Sequence, residues 1–182
     1  MNNDNLKNAW INTYTGKRFC PLDPNPDDID IGDIAHALSR LCRFTGHCED
    51  FYSVAQHSVY VSQNCSQNKV EQLMGLLHDG SEFALNDCSS PLKRTPGFEY
   101  YRQVEHNLQS MIYKKFGGSA IEPKSVKISD MRMLATEARD LLPIIHPDWK
   151  LEVEPYDFKI VPLPPKEAKQ LFLARFKELT SK

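Results

Sequence analysis

Apolar positions along this chain recur mostly at intervals of three and four residues, the period of a helix with one face turned to a core. From Asp33 onward, "DIAHALSRLCRF" sets Ile34, Ala37, Leu38 and Leu41 on one stripe behind an acidic N-cap. "SVAQHSVYVSQ" predicts a second helix with Ser53 as its cap, and "KVEQLMGLLHDGSEFAL" a third with Val70, Leu73, Met74 and Leu77 in line. "FEYYRQVEHNLQSMIYKKFGG" predicts a fourth, stopped by Gly117-Gly118. "PKSVKISDMRMLATEARDLL" predicts a fifth with Pro123 near its start, and "PPKEAKQLFLARFKEL" a last one behind Pro164-Pro165. Only the opening "AWINTYTGKRFCPLDPNPDD" breaks the period. Its alternating and β-branched residues around Thr15-Gly16 predict a small hairpin, followed by a proline-rich loop. Pro143, Pro147 and Pro155 mark an irregular stretch before the last helix. The expected class is all-α with a small N-terminal hairpin.

A chain of 182 residues, 41% of them hydrophobic, is sized for one domain with a real core, and it contains no internal repeat or low-complexity linker. The formal net charge of -2 and the lack of any long Lys/Arg run argue against binding a nucleic-acid polymer. No apolar stretch approaches the roughly 20 residues that cross a bilayer, so no membrane association is expected. "MNNDNLKNAW" lacks the features of a secretory leader, which predicts a cytoplasmic protein. Cys20, Cys42, Cys48, Cys65 and Cys88 are odd in number and form no C-x-x-C pair, which predicts reduced thiols.

The third helix then presents a difficulty. "LLHDGSEFALND" puts His78, Asp79, Glu82 and Asp87 at the end of an apolar run. Residues four apart share a helix face, so His78 and Glu82 point the same way and Asp79 lies one step round. Burying an imidazole beside a carboxylate is costly unless they are paired or coordinate a metal. Further donors come from His57, mid-helix in "SVAQHSV", and Asp130 in "VKISDMRML". His57, His78, Asp79 and Asp130 would converge from three helices, as core metal sites in bundles do. Gly80 fits either a packing accommodation or the close approach of substrate or a neighbouring helix.

Two imidazoles and two carboxylates suit one divalent transition metal, Co²⁺, Mn²⁺, Zn²⁺ or Fe²⁺, with Mg²⁺ a further option carried by substrate phosphates; the absence of thiolates argues against a closed structural zinc site. Such an ion activates water and polarises a phosphoryl oxygen. Glu82 is the expected general base, and Asp87 either shares that role or caps a turn. A resemblance of this donor pattern to the HD-domain metal-dependent phosphohydrolases implies Arg43 and Lys93 as the cations that would hold phosphate. His47, in "FTGHCED", either contacts phosphate or hydrogen-bonds within its loop. Glu137, Arg139 and Asp140, in "TEARDLL", read as a solvated face.

The succession of His57, His78-Asp79 and Asp130 resembles the H…HD…D pattern of the HD-domain metal-dependent phosphohydrolases. "HDGSEFALNDCSSPLK" is similar to the H-D-x-S-E…D…P-x-K block of the bacterial 5′-deoxynucleotidases, and equally to that of phage-encoded relatives that hydrolyse dATP. Arg43 and Phe44 in "CRFTGHCEDFYSVAQHS" match the arginine-aromatic pair that precedes the first histidine in these families. Phe44 stands where the deoxynucleotidases have tryptophan, at a spacing to His57 about one residue shorter. Either core packing or a flat contact with base or sugar is open to it.

The resemblance covers roughly residues 33–142 of a single domain spanning 1–182. It implies an HD-type helical bundle, a homo-oligomer, and a small-molecule deoxynucleotide as substrate. The most specific expectation is a dATP triphosphohydrolase giving deoxyadenosine and triphosphate, with dADP and dAMP as further substrates. A 5′-deoxynucleotidase acting on dNMPs and a nucleotide sensor without chemistry are the alternatives. H-E-x-x-H is absent, as is any glycine-rich phosphate loop after a strand, which leaves metalloproteases and P-loop or dinucleotide enzymes without support.

Overall fold

Gly16, at φ 81°, turns the chain between two short antiparallel strands, β1 (Ile11–Asn12) and β2 (Arg18–Phe19), with Ile11 opposite Phe19 and Asn12 opposite Arg18. This computed structural model describes residues 8–181, so the first seven positions of "MNNDNLKNAW" lie outside the described residues. The hairpin is pinned to the first helix, α1 (Ile31–Leu38), by Asp33, whose carboxylate accepts from the Thr15 amide at 2.7 Å and the Thr15 hydroxyl at 2.8 Å. Asp33 therefore does not begin the helix as the sequence pattern predicts. Asp30 is the cap, accepting from the Gly32 amide, and α1 ends at Leu38, short of Leu41.

The remaining helices are α2 (Val54–Asn64), α3 (Lys69–Leu77), α4 (Glu82–Leu85), α5 (Ser90–Lys93), α6 (Glu99–Lys115), α7 (Lys124–Leu141) and α8 (Pro165–Thr180). Ser53 caps α2 as expected, its hydroxyl accepting from the Gln56 amide. Gly117, at φ 92°, follows the end of α6. The short α5 has no counterpart in the hydrophobic pattern, because it is not long enough to show a period.

α2 lies at the centre, packed by α3, α7 and α8. Its Val54, Ala55, Val59 and Val61 are buried together with Leu76 and Leu77 of α3, Leu108 and Ile112 of α6, Met133 of α7 and Phe172 of α8. The C-terminal part is tied in by polar groups that have left water and found partners. The buried Gln56 amide donates to the Val161 carbonyl at 2.8 Å and accepts from the Leu163 amide at 2.9 Å. Arg175 reaches from α8 to the Ser62 hydroxyl and the Gln72 side chain.

The long third helix predicted from the sequence is broken. α3 stops at Leu77 and α4 starts at Glu82, with a turn between them. An uninterrupted helix would bond the Leu77 carbonyl to the Ser81 amide. Instead the Gln109 side chain of α6 is inserted between them, donating to the Leu77 carbonyl at 2.6 Å and accepting from the Ser81 amide at 2.9 Å. Gly80 sits in this turn, where a Cβ would lie 2.8 Å from the Leu77 carbonyl oxygen and 3.2 Å from Ile112. The backbone of its own turn sets the tightest limit on a side chain here, and Ile112 of α6 adds a second. Val70, predicted on the apolar stripe, is exposed at the start of α3. Among the described residues no disulfide joins the five cysteines, and no helix is long and apolar enough to cross a membrane.

Candidate metal centre

His57 projects from the middle of α2, His78 caps the C-terminus of α3, Asp79 follows in the turn, and Asp130 comes from α7. The two imidazoles meet with His57 Nε2 and His78 Nε2 3.2 Å apart. Asp79 Oδ2 lies 3.2 Å from His78 Nε2 and 3.7 Å from His57 Nε2. Asp130 Oδ1 lies 3.4 Å from His57 Nε2 and 3.9 Å from His78 Nε2.

The opposite ring nitrogens are anchored elsewhere. His57 Nδ1 is 2.5 Å from Glu137 Oε1, and His78 Nδ1 is 2.9 Å from the Gly75 carbonyl oxygen. An Nδ1–H donated outward leaves each Nε2 with a lone pair aimed at the other, an arrangement that repels unless a cation or a proton joins them. Two nitrogens bound to one ion at about 2.0–2.1 Å, with bond angles of about 90–110°, lie roughly 2.8–3.4 Å apart. The observed 3.2 Å falls in that range. Asp79 Oδ2 and Glu82 Oε2 are also buried without a hydrogen-bond partner, as ligand or proton-handling oxygens would be. His57, His78 and Asp79 form a group able to hold a metal ion, and Asp130 stands beside it.

Electrostatics describe the same cluster with no ion in it. Burial alone would depress the His78 pKa, but the charges of Asp79 and Asp130 push it up to about 10. His57 is also raised: Glu137 and Asp130 outweigh burial and the nearby Arg43. Burial works to raise both Asp79 and Asp130, yet the imidazoles hold each well below the usual carboxylate range. Glu82 behaves oppositely. Its burial, together with the charges of Asp79 and Asp87, drives it well above that range. Protons are therefore concentrated where a divalent ion would otherwise balance the carboxylates.

The protein YfdR of Escherichia coli (strain K12), itself uncharacterized, is 39% identical over 179 residues, which span 94% of this chain and 96% of YfdR. The chain belongs to the YfdR family. An uncharacterized protein of Rhodobacter capsulatus is 36% identical over 129 residues, 67% of this chain and 65% of that protein. No protein-family model matches the chain.

In this YfdR-family chain a cavity of about 410 Å³ opens on His78, Asp79 and Glu82, with Lys93 and one face of α6 as its far wall. Of the expected site residues, Lys93 lines the cavity and forms an ion pair with Glu105 at 2.7 Å. Glu82 stands at the start of α4, across a turn from His78. The common helix face assumed from their spacing does not exist, although both side chains still line the cavity. Asp87 is exposed beyond α4, acting on Glu82 through its charge.

Arg43, Phe44 and His47 lie outside the cavity lining. Arg43 is drawn into the centre from behind, 3.0 Å from Glu137 Oε2 and 3.8 Å from Asp79 Oδ2. Phe44 and Thr45 both adopt φ 54°, a left-handed conformation that non-glycine residues rarely take. The Phe44 ring meets Trp149 edge-on at 6.3 Å. His47 is exposed at the end of this turn, its amide donating to the Phe44 carbonyl.

Glu137 is the principal correction. The sequence pattern puts it on a solvated face with Arg139 and Asp140, and Arg139 is indeed exposed. Glu137 is 0% exposed and joins His57 to Arg43, whose charges hold it below its ordinary pKa despite burial. The signal available was its spacing of seven residues from Asp130, two helical turns along one face of α7. Glu122 of the cavity lining was also missed. It lies outside any helix, and burial raises its pKa.

Proposed function

We propose that this protein is an HD-type metal-dependent phosphohydrolase acting on deoxynucleotide phosphates, with dATP as its foremost substrate. The observation that carries the reading is the pair of Nε2 atoms 3.2 Å apart, each ring anchored through its other nitrogen, beside a buried Asp79 Oδ2 that accepts no hydrogen bond among the described residues. His57, His78, Asp79 and Asp130 would hold one divalent ion, with Mn²⁺, Co²⁺, Fe²⁺ and Zn²⁺ fitting the mixed nitrogen and oxygen donors. The ion supplies Lewis acidity toward water and a phosphoryl oxygen.

The chain's own residues do the rest. Glu82, partnerless at Oε2 and facing the cavity, accepts the proton of the attacking water. The water oxygen bonds to the α-phosphorus as the bond from phosphorus to the 5′-oxygen breaks. That oxygen leaves with the proton Glu82 took from the water, so dATP gives deoxyadenosine and triphosphate. Lys93 offers positive charge on the cavity wall, and Arg43 holds Asp79 and Glu137 in place rather than reaching the phosphates itself. Phe44, which meets Trp149 edge-on outside the cavity lining, offers a flat contact to a base or sugar that extends beyond the cavity. A homo-oligomer is part of the proposal, following the resemblance.

The test is product analysis. The purified chain, loaded in turn with each of these ions, is incubated with all dNTPs, dNMPs and ATP and resolved by ion exchange. Deoxyadenosine with triphosphate, at roughly ten- to hundredfold preference over ATP, is expected if an apolar wall leaves a 2′-hydroxyl unpaired. dAMP with pyrophosphate, or equal rates on ATP and dATP, overturns the mechanism. Turnover of dNMPs alone makes the protein a 5′-deoxynucleotidase, and tight nucleotide binding with no turnover makes it a sensor.

A further inference from the structure

The cavity beside the metal centre is walled by one continuous face of α6. Arg102, Glu105, His106, Gln109, Ser110 and Tyr113 recur at the three- and four-residue steps of a helix, and all line it. Gln109 braces the turn that carries His78 and Asp79, so this wall has a fixed relation to the metal donors. Arg102, His106, Ser110 and Lys114 form a four-residue stripe along the helix. A second hollow of about 740 Å³ shares His106 and Ser110 with the first and extends along α6 to Lys114 and Lys115.

The polar side chains on this stripe are only partly committed. Arg102 donates to the Lys93 carbonyl, and its one carboxylate partner among the described residues is Glu99, at 3.4 Å and 66% exposed. An exposed ion pair of this kind is weak and readily exchanged. The His106 side chain is exposed and makes no hydrogen bond or ion pair among the described residues. Lys93 is occupied by Glu105, and with Glu82 and Asp79 at the metal end the cavity floor is acidic. Negative charge near the metal donors, with the uncommitted His106 ring and the exchangeable Arg102 guanidinium one and two turns along α6, suits a ligand whose anionic tail extends away from the centre.

We infer that Arg102 and His106 form an anchorage for the phosphates distal to the one attacked, selecting a substrate with a polyphosphate tail over a monophosphate. This rests on the proposed hydrolytic site for the position of the scissile bond, but the anchorage itself can be measured without turnover. The length of the tail is limited. Past His106 the hollow is bounded by Leu22, Asp23, Pro24 and Pro26 as well as the two lysines, of which Lys115 donates to the Pro26 carbonyl, so the stretch open to an anion is short and fits an oligophosphate rather than a nucleic-acid polymer.

The experiment is calorimetric titration of the full metal-loaded chain with Mg²⁺-saturated inorganic tripolyphosphate and, separately, with orthophosphate. Wild type should bind tripolyphosphate the more tightly. R102Q combined with H106Q should weaken it by about tenfold or more while leaving orthophosphate binding and metal content unchanged, and R102K should recover part of the loss. Unaltered tripolyphosphate affinity in the double variant overturns the inference, as does a wild type that binds the two anions equally. In the second case hydrolysis of dAMP would leave the hydrolytic reading standing. Tripolyphosphate held through Arg102 and His106 by a protein that turns over no nucleotide would support the anchorage and remove the hydrolytic reading. Repeating the titration with dATP separates a nucleotide site from one for free oligophosphate, because only the former gains affinity from the nucleoside.

Discussion

Glu137 Oε1 lies 2.5 Å from His57 Nδ1, and neither side chain reaches solvent. The same carboxylate receives Arg43, so one buried anion orients an imidazole and neutralises a guanidinium. Outer groups of this kind fix the ring orientation and raise the basicity of the nitrogen that faces the ion, and their loss typically costs about 10–100-fold in metal affinity.

Glu137→Gln should therefore lower divalent-ion affinity by about 10–100-fold, measured by competition with a chromophoric chelator. Glu137→Ala should also destabilise the fold, by about 1–3 kcal/mol in denaturant unfolding, because Arg43 loses its close carboxylate and keeps only the longer contact to Asp79. Unchanged ion affinity in the glutamine variant would remove Glu137 from the centre.

The donors themselves make a stricter case. Replacing any of His57, His78, Asp79 or Asp130 by Ala should abolish metal retention and turnover together. His57→Ala that kept its full metal content by elemental analysis would show the quartet to be wrong.

Proton competition gives the centre a signed pH dependence. The metal-free His78 imidazole is raised from 6.5 to about 10, so an ion must displace its proton over the neutral range. Ion affinity should increase from pH 6 to pH 8, with proton release visible as a buffer-dependent binding enthalpy. The raised pKa has the opposite effect on the metal-free fold. Its contribution to stability is complete below about pH 6.5 and is lost as pH rises through about 10, so the gain in melting temperature on adding metal should widen with pH. Ion affinity independent of pH across this window would contradict the assignment of His78 Nε2 as a donor.

Glu82 separates binding from chemistry. Glu82→Ala should retain metal and substrate while losing on the order of 10²–10⁴ in turnover, the range for a positioned general base. Near-normal turnover would transfer the role to Asp87.

Gln109 is expected to be worth more than its position on a partly exposed helix suggests. Removing its amide leaves the Leu77 carbonyl with only the Gly80 amide and the Ser81 amide with no partner. Gln109→Leu should cost about 1–3 kcal/mol in stability and weaken ion binding through the displaced turn, both measurable on one purified sample. Wild-type stability would show that the turn holds itself.

What the sequence determined by itself was whatever depends on neighbours along the chain. The long helices, the hairpin at Gly16, the cap at Ser53 and the stop at Gly117 follow from side-chain period, local hydrogen bonding and backbone freedom, all of which act over a few residues. His57, His78, Asp79 and Asp130 were legible because ionisable groups on apolar faces need a reason wherever the fold takes them. Tertiary structure decided the rest. The break after Leu77 is made by a side chain 32 positions away, and Glu137 becomes buried because Arg43 and His57, 94 and 80 positions distant, balance its charge. Asp33 gives up the cap of α1 for the same reason, because Thr15 offers its carboxylate two donors that only the folded hairpin brings within reach. A polar side chain's role is set by the partner that replaces water, and that partner is supplied by packing rather than by sequence spacing.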